Sequence, residues 1–120
     1  RSIQYRLLRY ETNWGERRVR VDAKGQVART DFQILEAGEQ ATLLQAALHT
    51  GRTHQIRVHA QSQGHPILGD TKYGGASRPK EVARLCLHAS RLVVPIGGDK
   101  LDVSAPLEPT MASIWTELKP

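Results

Sequence analysis

Short alternating runs dominate this chain, and long periodic ones are few. Across residues 17–22 charged side chains alternate with Val19 and Val21, the mark of a half-exposed strand, and Asp22-Ala23-Lys24-Gly25 is a turn cluster. Phe32 and Ile34 share one face of a strand predicted over 30–36. Ala37-Gly38-Glu39 links it to 40–48, which has apolar residues on both faces, as an interior strand does. Residues 85–94 read as a further strand, turned at Pro95-Ile96-Gly97-Gly98-Asp99 into 100–104. Pro109-Thr110 opens a helix that places Met111, Ile114, Trp115 and Leu118 at i, i+3, i+4 and i+7, a core-facing stripe. Residues 1–16 are polar and mixed, broken by Trp14-Gly15, and predict an irregular entry. The sum is one α+β unit with a mainly antiparallel sheet, mixed at most, and short helices. Hairpin-length links at Gly38 and Gly97-Gly98 force antiparallel neighbours.

One stretch breaks this pattern. Residues 51–75 hold two arginines, three histidines and five glycines. Periodicity leaves 53–63 ambiguous, because His54, Ile56, Val58 and Ala60 alternate with polar residues as in a strand. A helix is favoured: Thr53 is a plausible N-cap, and Gly64 with Pro66 makes a stop. Beyond it, 66–75 is a glycine-rich loop, and 78–83 has the composition of one helical turn.

Composition narrows the partners. Net charge is +5, and twelve of the seventeen basic residues are arginine, which favours bidentate recognition of phosphate. A single cysteine, Cys86, excludes an intrachain disulfide and fits a reducing cytoplasm; its Leu-Cys-Leu setting predicts an inert buried thiol. No apolar run approaches the roughly 20 residues of a membrane-spanning helix. His54 and His59 stand five apart, roughly 140° around a helix, so they diverge and make a poor metal pair. Asp70 after Gly69 is tempting as a catalytic carboxylate, but fixing a turn through backbone hydrogen bonds is its commoner role. Arg57 would share a helix face with His54 and Gln61, and Thr53 would sit at a phosphate-favouring helix start with Arg52 before it. These residues predict a cationic site for an anionic, phosphate-bearing ligand. The plain alternative for Arg57 is an internal ion pair.

Gly51-Arg52-Thr53-His54-Gln55-Ile56-Arg57-Val58-His59, then Gly64-His65-Pro66-Ile67-Leu68-Gly69-Asp70 and Tyr73-Gly74, closely resemble the late motif of the RluA-type pseudouridine synthases. Leu87-His88-Ala89 and Ser104-Ala105-Pro106 match the family's closing strands, so the resemblance runs from about residue 28 to residue 118. Val19-Arg20-Val21-Asp22, Gly25 and Thr30-Asp31-Phe32 are similar to members acting on large-subunit ribosomal RNA, particularly the synthase C branch.

The resemblance implies a cytoplasmic isomerase that flips a uridine from RNA, breaks its glycosidic bond and rejoins the uracil through carbon. It implies no cofactor and no metal. The family's catalyst is an aspartate in a motif of His-Arg-Leu-Asp type, and none of Asp22, Asp31, Asp70, Asp99 or Asp102 follows Arg-Leu. The chain thus resembles the C-terminal part of the catalytic domain, with the aspartate and any S4-like RNA-binding domain expected upstream. By the resemblance, Arg57 is the arginine that pairs with the catalytic aspartate, expected here in a cleft and poorly satisfied. Arg52, Thr53, His54, Gln55 and Lys72 are the expected RNA-binding residues. The competing reading is a non-catalytic RNA-binding module that keeps the synthase cleft.

Overall fold

Among the described residues every strand pairing is antiparallel. The computed structural model describes residues 1–38, 41–74 and 85–118. In chain order the elements are β1 (Ser2–Ile3), β2 (Leu7–Glu11), β3 (Arg17–Val21), β4 (Thr30–Ala37), β5 (Thr42–Leu48), α1 (Gln55–Ser62), β6 (Arg91–Ile96), β7 (Asp99–Ser104) and α2 (Pro109–Leu118). They form a three-stranded sheet in the order β1-β4-β5 and two hairpins, β2-β3 and β6-β7. The α+β class and the antiparallel pairing match the sequence expectation.

The entry segment corrects that expectation. Residues 1–16 are not irregular: β1 pairs with β4, and β2 runs in unbroken register with β3 from Leu7↔Val21 to Glu11↔Arg17. The turn between β2 and β3 closes through Gly15 N–H to the Thr12 carbonyl and Thr12 N–H to the Glu16 carbonyl, at 3.0 and 2.8 Å. Five residues with charges among them carry too little periodicity to announce a strand; the partner strand supplies the stability. Leu7 and Val19 then join Ala28, Val58 and Tyr73 in the core.

Three further expectations change. The 40–48 strand is expected to be interior, but among the described residues β5 is the outer strand of its sheet, and β4 is central because β1 takes its other side. Residues 85–90 form no strand; Cys86 N–H is directed to the Leu68 carbonyl at 2.8 Å instead of to a ladder, and Cys86 is half-buried. Of the C-terminal helix stripe, Met111, Ile114 and Trp115 are half-buried, and Trp115 Nε1–H donates to Glu36 at 3.2 Å. The helical turn expected at 78–83 lies outside the described residues.

α1 is positioned by a polar network beneath it. It starts at Gln55, not at Thr53, and His54 stands before it in a left-handed conformation (φ 52°) with no side-chain cap. Gly64, at φ 78°, ends the helix as predicted, donating to the Gln61 carbonyl at 2.9 Å. On the buried face, His59 Nε2 lies 2.9 Å from the Tyr5 carbonyl and Nδ1 lies 2.8 Å from Thr30 Oγ1. A carbonyl can only accept, so Nε2 carries the proton and Nδ1 accepts from the threonine hydroxyl. Gln55 Nε2 donates to the same Thr30 Oγ1 at 2.9 Å. His59 is thereby locked neutral between α1, β4 and the segment after β1.

Burial pushes the His59 pKa below its ordinary value, against the opposing pull of the Tyr5 carbonyl. The unfolded chain therefore binds more protons than the folded one between the two pKa values. Stability present above about pH 6.5 is lost as pH falls from there toward the folded value. Urea midpoints should drop between about pH 7.5 and about pH 5, and His59→Gln should flatten that drop. The drop should not vanish, because His54 is displaced in the same direction. A parent midpoint that does not move with pH would contradict the assignment.

Candidate functional site

Asp70 is the point on which the motif converges. Its side chain is fully buried, 0% exposed, beside an Arg57 side chain that is 19% exposed. Arg57 donates Nε–H to Oδ2 at 3.0 Å and Nη2–H to Oδ1 at 2.9 Å, the two-pronged match that a guanidinium makes and an ammonium cannot. The backbone N–H groups of Lys72 and Tyr73 add bonds to Oδ1 at 3.1 and 3.0 Å. Burial pushes the Asp70 carboxyl up, but the Arg57 hydrogen bonds and these two N–H groups outweigh it and hold the pKa below the usual carboxylate range. The same pairing raises Arg57. The backbone is folded so tightly here that a Cβ on Gly74 would fall 1.9 Å from the Asp70 carbonyl oxygen. Only glycine fits.

Tyr73 links this pair to the β2-β3 hairpin. Its hydroxyl accepts the Val19 N–H at 3.0 Å and lies 2.7 Å from His54 Nδ1. The guanidinium carbons of Arg18 and Arg57 each stand 5.1 Å from the Tyr73 ring centroid, and Arg18 Nη2–H donates to the Lys72 carbonyl. Burial, then the charges of Arg57 and Lys72, lower the His54 pKa. Neutral His54 therefore accepts the Tyr73 hydroxyl proton at Nδ1 and keeps its proton on Nε2. Burial raises the Tyr73 pKa, so the phenol stays protonated as this donor.

The predicted site residues separate into groups. Arg57, His54 and Lys72 are brought together around Asp70 and Tyr73. Arg57 is partly buried, as expected, but it is not poorly satisfied: Asp70 takes its fork. That is a correction, and it follows from the thirteen-residue separation, which brings the loop carboxylate back onto the helix. Gln55 is corrected as well. It is 3% exposed, and all four of its amide positions are engaged. Oε1 accepts from Thr50 Oγ1 and Arg52 N–H, while Nε2 donates to the Arg29 carbonyl and Thr30 Oγ1. No position is left for RNA. Thr53 is exposed, and Arg52, half-buried, donates Nε–H to the Val27 carbonyl at 2.8 Å. The phosphate cradle expected at Thr53 is absent in that form, since the helix begins two residues later and Gln55 N–H already bonds the Arg52 carbonyl at 3.1 Å.

Arg18, Tyr73 and the hairpin that carries Arg18 were not foreseen as site residues. The available signal was the alternation Arg18-Val19-Arg20, which puts two guanidinium groups on the face opposite a buried valine.

Known proteins share this arrangement of sequence and fold. A family model described as RNA pseudouridylate synthase matches residues 4–62, from ahead of β2 to the end of α1. Curated relatives include the ribosomal large subunit pseudouridine synthases C of Pasteurella multocida, 45% identical over 120 residues, and Escherichia coli, 38% identical over 117 residues. The matches take in 94% and 90% of this chain, yet the chain spans 37% of each relative's length. Human RNA Pseudouridylate Synthase Domain Containing 1 is similar in structure, with TM-score 0.81 and 30% identity over 99% of this chain and 52% of that one. Human RNA Pseudouridylate Synthase Domain Containing 4 follows at TM-score 0.67 and 26% identity, over 92% and 53%.

Tyr73→Phe removes the acceptor of a buried backbone N–H and the donor to His54. It should lower the unfolding free energy by about 1–3 kcal/mol in urea titrations. Gly74→Ala should prevent the Asp70 turn from forming and cost more than Tyr73→Phe. A Tyr73→Phe chain as stable as the parent would show that the hydroxyl is not a structural link.

Proposed function

This chain belongs to the RNA pseudouridylate synthase family, and we propose that it forms the arginine-bearing wall of an enzyme that converts uridine to pseudouridine in large-subunit ribosomal RNA. The observation that carries this reading is the setting of Arg57. Asp70 grips its Nε and Nη2 edge, and Nη1 makes no hydrogen bond to a described residue. A guanidinium fixed along one edge can present the other to a second carboxylate, which it holds ionised and in place for chemistry. Asp70 is then a positioning residue, and the family's aspartate is the partner of the outward edge.

Supply of that aspartate from outside these 120 residues fits the occupations of the five aspartates within them. Asp22 accepts the Lys24 N–H of its turn, and Asp31 is held by Arg29 and His49, with its pKa lowered to about 2 chiefly by Arg29. Asp70 holds Arg57, Asp99 accepts the Lys100 N–H, and Asp102 pairs with Arg91. The span of 37% of the curated relatives agrees with a piece of a longer enzyme. The reaction is an isomerisation: the carbon–nitrogen bond between ribose and uracil breaks, the ring turns, and a carbon–carbon bond replaces it. Atoms balance without a cofactor. In this scheme His54, Lys72, Arg52 and Thr53 face the RNA, and Gln55 braces the wall from behind.

The test compares the 120-residue chain with a full-length enzyme carrying it, each incubated with unmodified large-subunit RNA and assayed for pseudouridine by mass spectrometry. The short chain should bind RNA weakly, lose affinity steeply with salt, and form no product. In the full-length enzyme, Arg57→Lys should lower kcat/KM by about 100-fold or more, because lysine loses the planar fork. Full-length protein that binds RNA and makes no pseudouridine would favour the binding-module alternative. Turnover by the short chain, lost on Asp70→Asn, would move the catalyst to Asp70.

A further inference from the structure

A recess of about 450 Å³ opens between the outer edge of β3, the second half of α1 and Lys72. This falls within the range of about 300–1,000 Å³ typical of small-ligand clefts. Tyr10, Arg18, Arg20, Gln61, Ser62 and Lys72 supply its polar lining, and among the described residues no carboxylate lines it. Tyr73 forms part of its wall and also touches Arg57, so the recess adjoins the arginine cluster across one aromatic ring.

Two features say what would fill it. Arg18 Nη1 and Lys72 Nζ both approach a single oxygen, Glu16 Oε1, at 3.5 and 3.4 Å. Glu16 itself is 47% exposed. These contacts are longer than the roughly 2.7–2.9 Å of a tight charge-assisted bond, so Glu16, which does not itself line the recess, is a loose shared partner of two cations that do. A phosphate oxygen suits that position better, bringing more charge and further acceptors. Beside it, the Arg20 guanidinium stands 4.9 Å from the centroid of the Tyr10 ring. A tyrosine with an arginine over it is a stacking platform for a nucleobase, and such platforms accept any base because every base has a π-face. Gln61, exposed on α1, puts an amide within reach of ribose or base edges.

We propose that this recess is a second nucleotide subsite, which takes one unpaired nucleotide of the RNA beside the target. Its phosphate replaces the Glu16 carboxylate between Arg18 and Lys72, and its base lies on the Tyr10–Arg20 platform. The proposal rests on the RNA-modifying reading above and adds where a flanking nucleotide is gripped.

The test is fluorescence anisotropy of the 120-residue chain with a labelled single-stranded oligouridylate of about ten nucleotides over a range of salt. Lys72→Gln should weaken binding about 3- to 10-fold and reduce the salt slope by about 0.7, one phosphate contact on a single strand. Gln61→Glu, which keeps the shape and adds a charge on an exposed helix position, should weaken it as well. Glu16→Gln should tighten binding about threefold. If the parent binds and all three variants keep its affinity and slope, the subsite is overturned while the family reading stands. If the parent does not bind the oligonucleotide at low salt, the subsite is overturned with it. Full-length protein that makes no pseudouridine while the three variants shift as stated would sink the catalytic reading and leave the subsite standing.

Discussion

A carboxylate removed from water must be answered by donors on every side, and the arrangement around Asp70 is governed by that requirement. Two prongs of Arg57 and two backbone N–H groups converge on it. An isolated buried charge is costly enough that any one of these donors, if lost, leaves the rest in the wrong place. Meeting the requirement folds the 70–74 loop back onto α1, which delivers Tyr73 to the core and its hydroxyl to the edge of β3. The hairpin, the loop and the helix are therefore fixed to one another through one charged group. The position of Arg57 is a consequence of this packing.

Beneath α1 a second polar layer does comparable work without net charge. Gln55, Thr30 and His59 pass hydrogen bonds from the Arg29 carbonyl to the Tyr5 carbonyl, and each donor finds an acceptor. A network complete at every position resists rearrangement, whereas one with a missing member would be worse than an apolar contact. Within the Thr-His-Gln-Ile-Arg-Val-His run Gln55, Val58 and His59 are thus buried scaffold, and Thr53 is the one exposed residue. Adjacent residues have different duties: Gln55 is sealed inside, and half-buried His54 meets the Tyr73 hydroxyl at Nδ1.

Sequence patterning reached the class of fold and set the central motif apart for a physical reason. Hairpin links, turn clusters and the α2 stripe are local signals, and the pairings of β4 with β5 and β6 with β7 follow from them. What it missed is non-local. Leu7 is a core residue because Val19 and Val58 surround it, and nothing within 1–16 states this. The central position of β4 depends on β1, two residues long, which has no period of its own. At the site, the arginine and the loop carboxylate both stand out in the sequence, and an internal ion pair is the plain alternative for Arg57, but local pattern does not name Asp70 as its partner. Asp70 is expected to fix its own turn, which it does by accepting from Lys72 and Tyr73 at Oδ1, while both of its oxygens and its charge serve Arg57. Gln55 was misplaced because a polar residue in a cationic motif invites a ligand-facing reading, and its burial shows only when Thr30 and Thr50 are in view.

The central claim is that Arg57 and Asp70 act as one unit, and a double-mutant cycle measures this directly. Urea unfolding of the parent, Arg57→Ala, Asp70→Ala and the double variant gives the coupling energy between the two side chains. The expected coupling is about 2–3 kcal/mol, with the double variant scarcely less stable than Asp70→Ala alone. A coupling below about 0.5 kcal/mol, the level of an exposed surface pair, would contradict it.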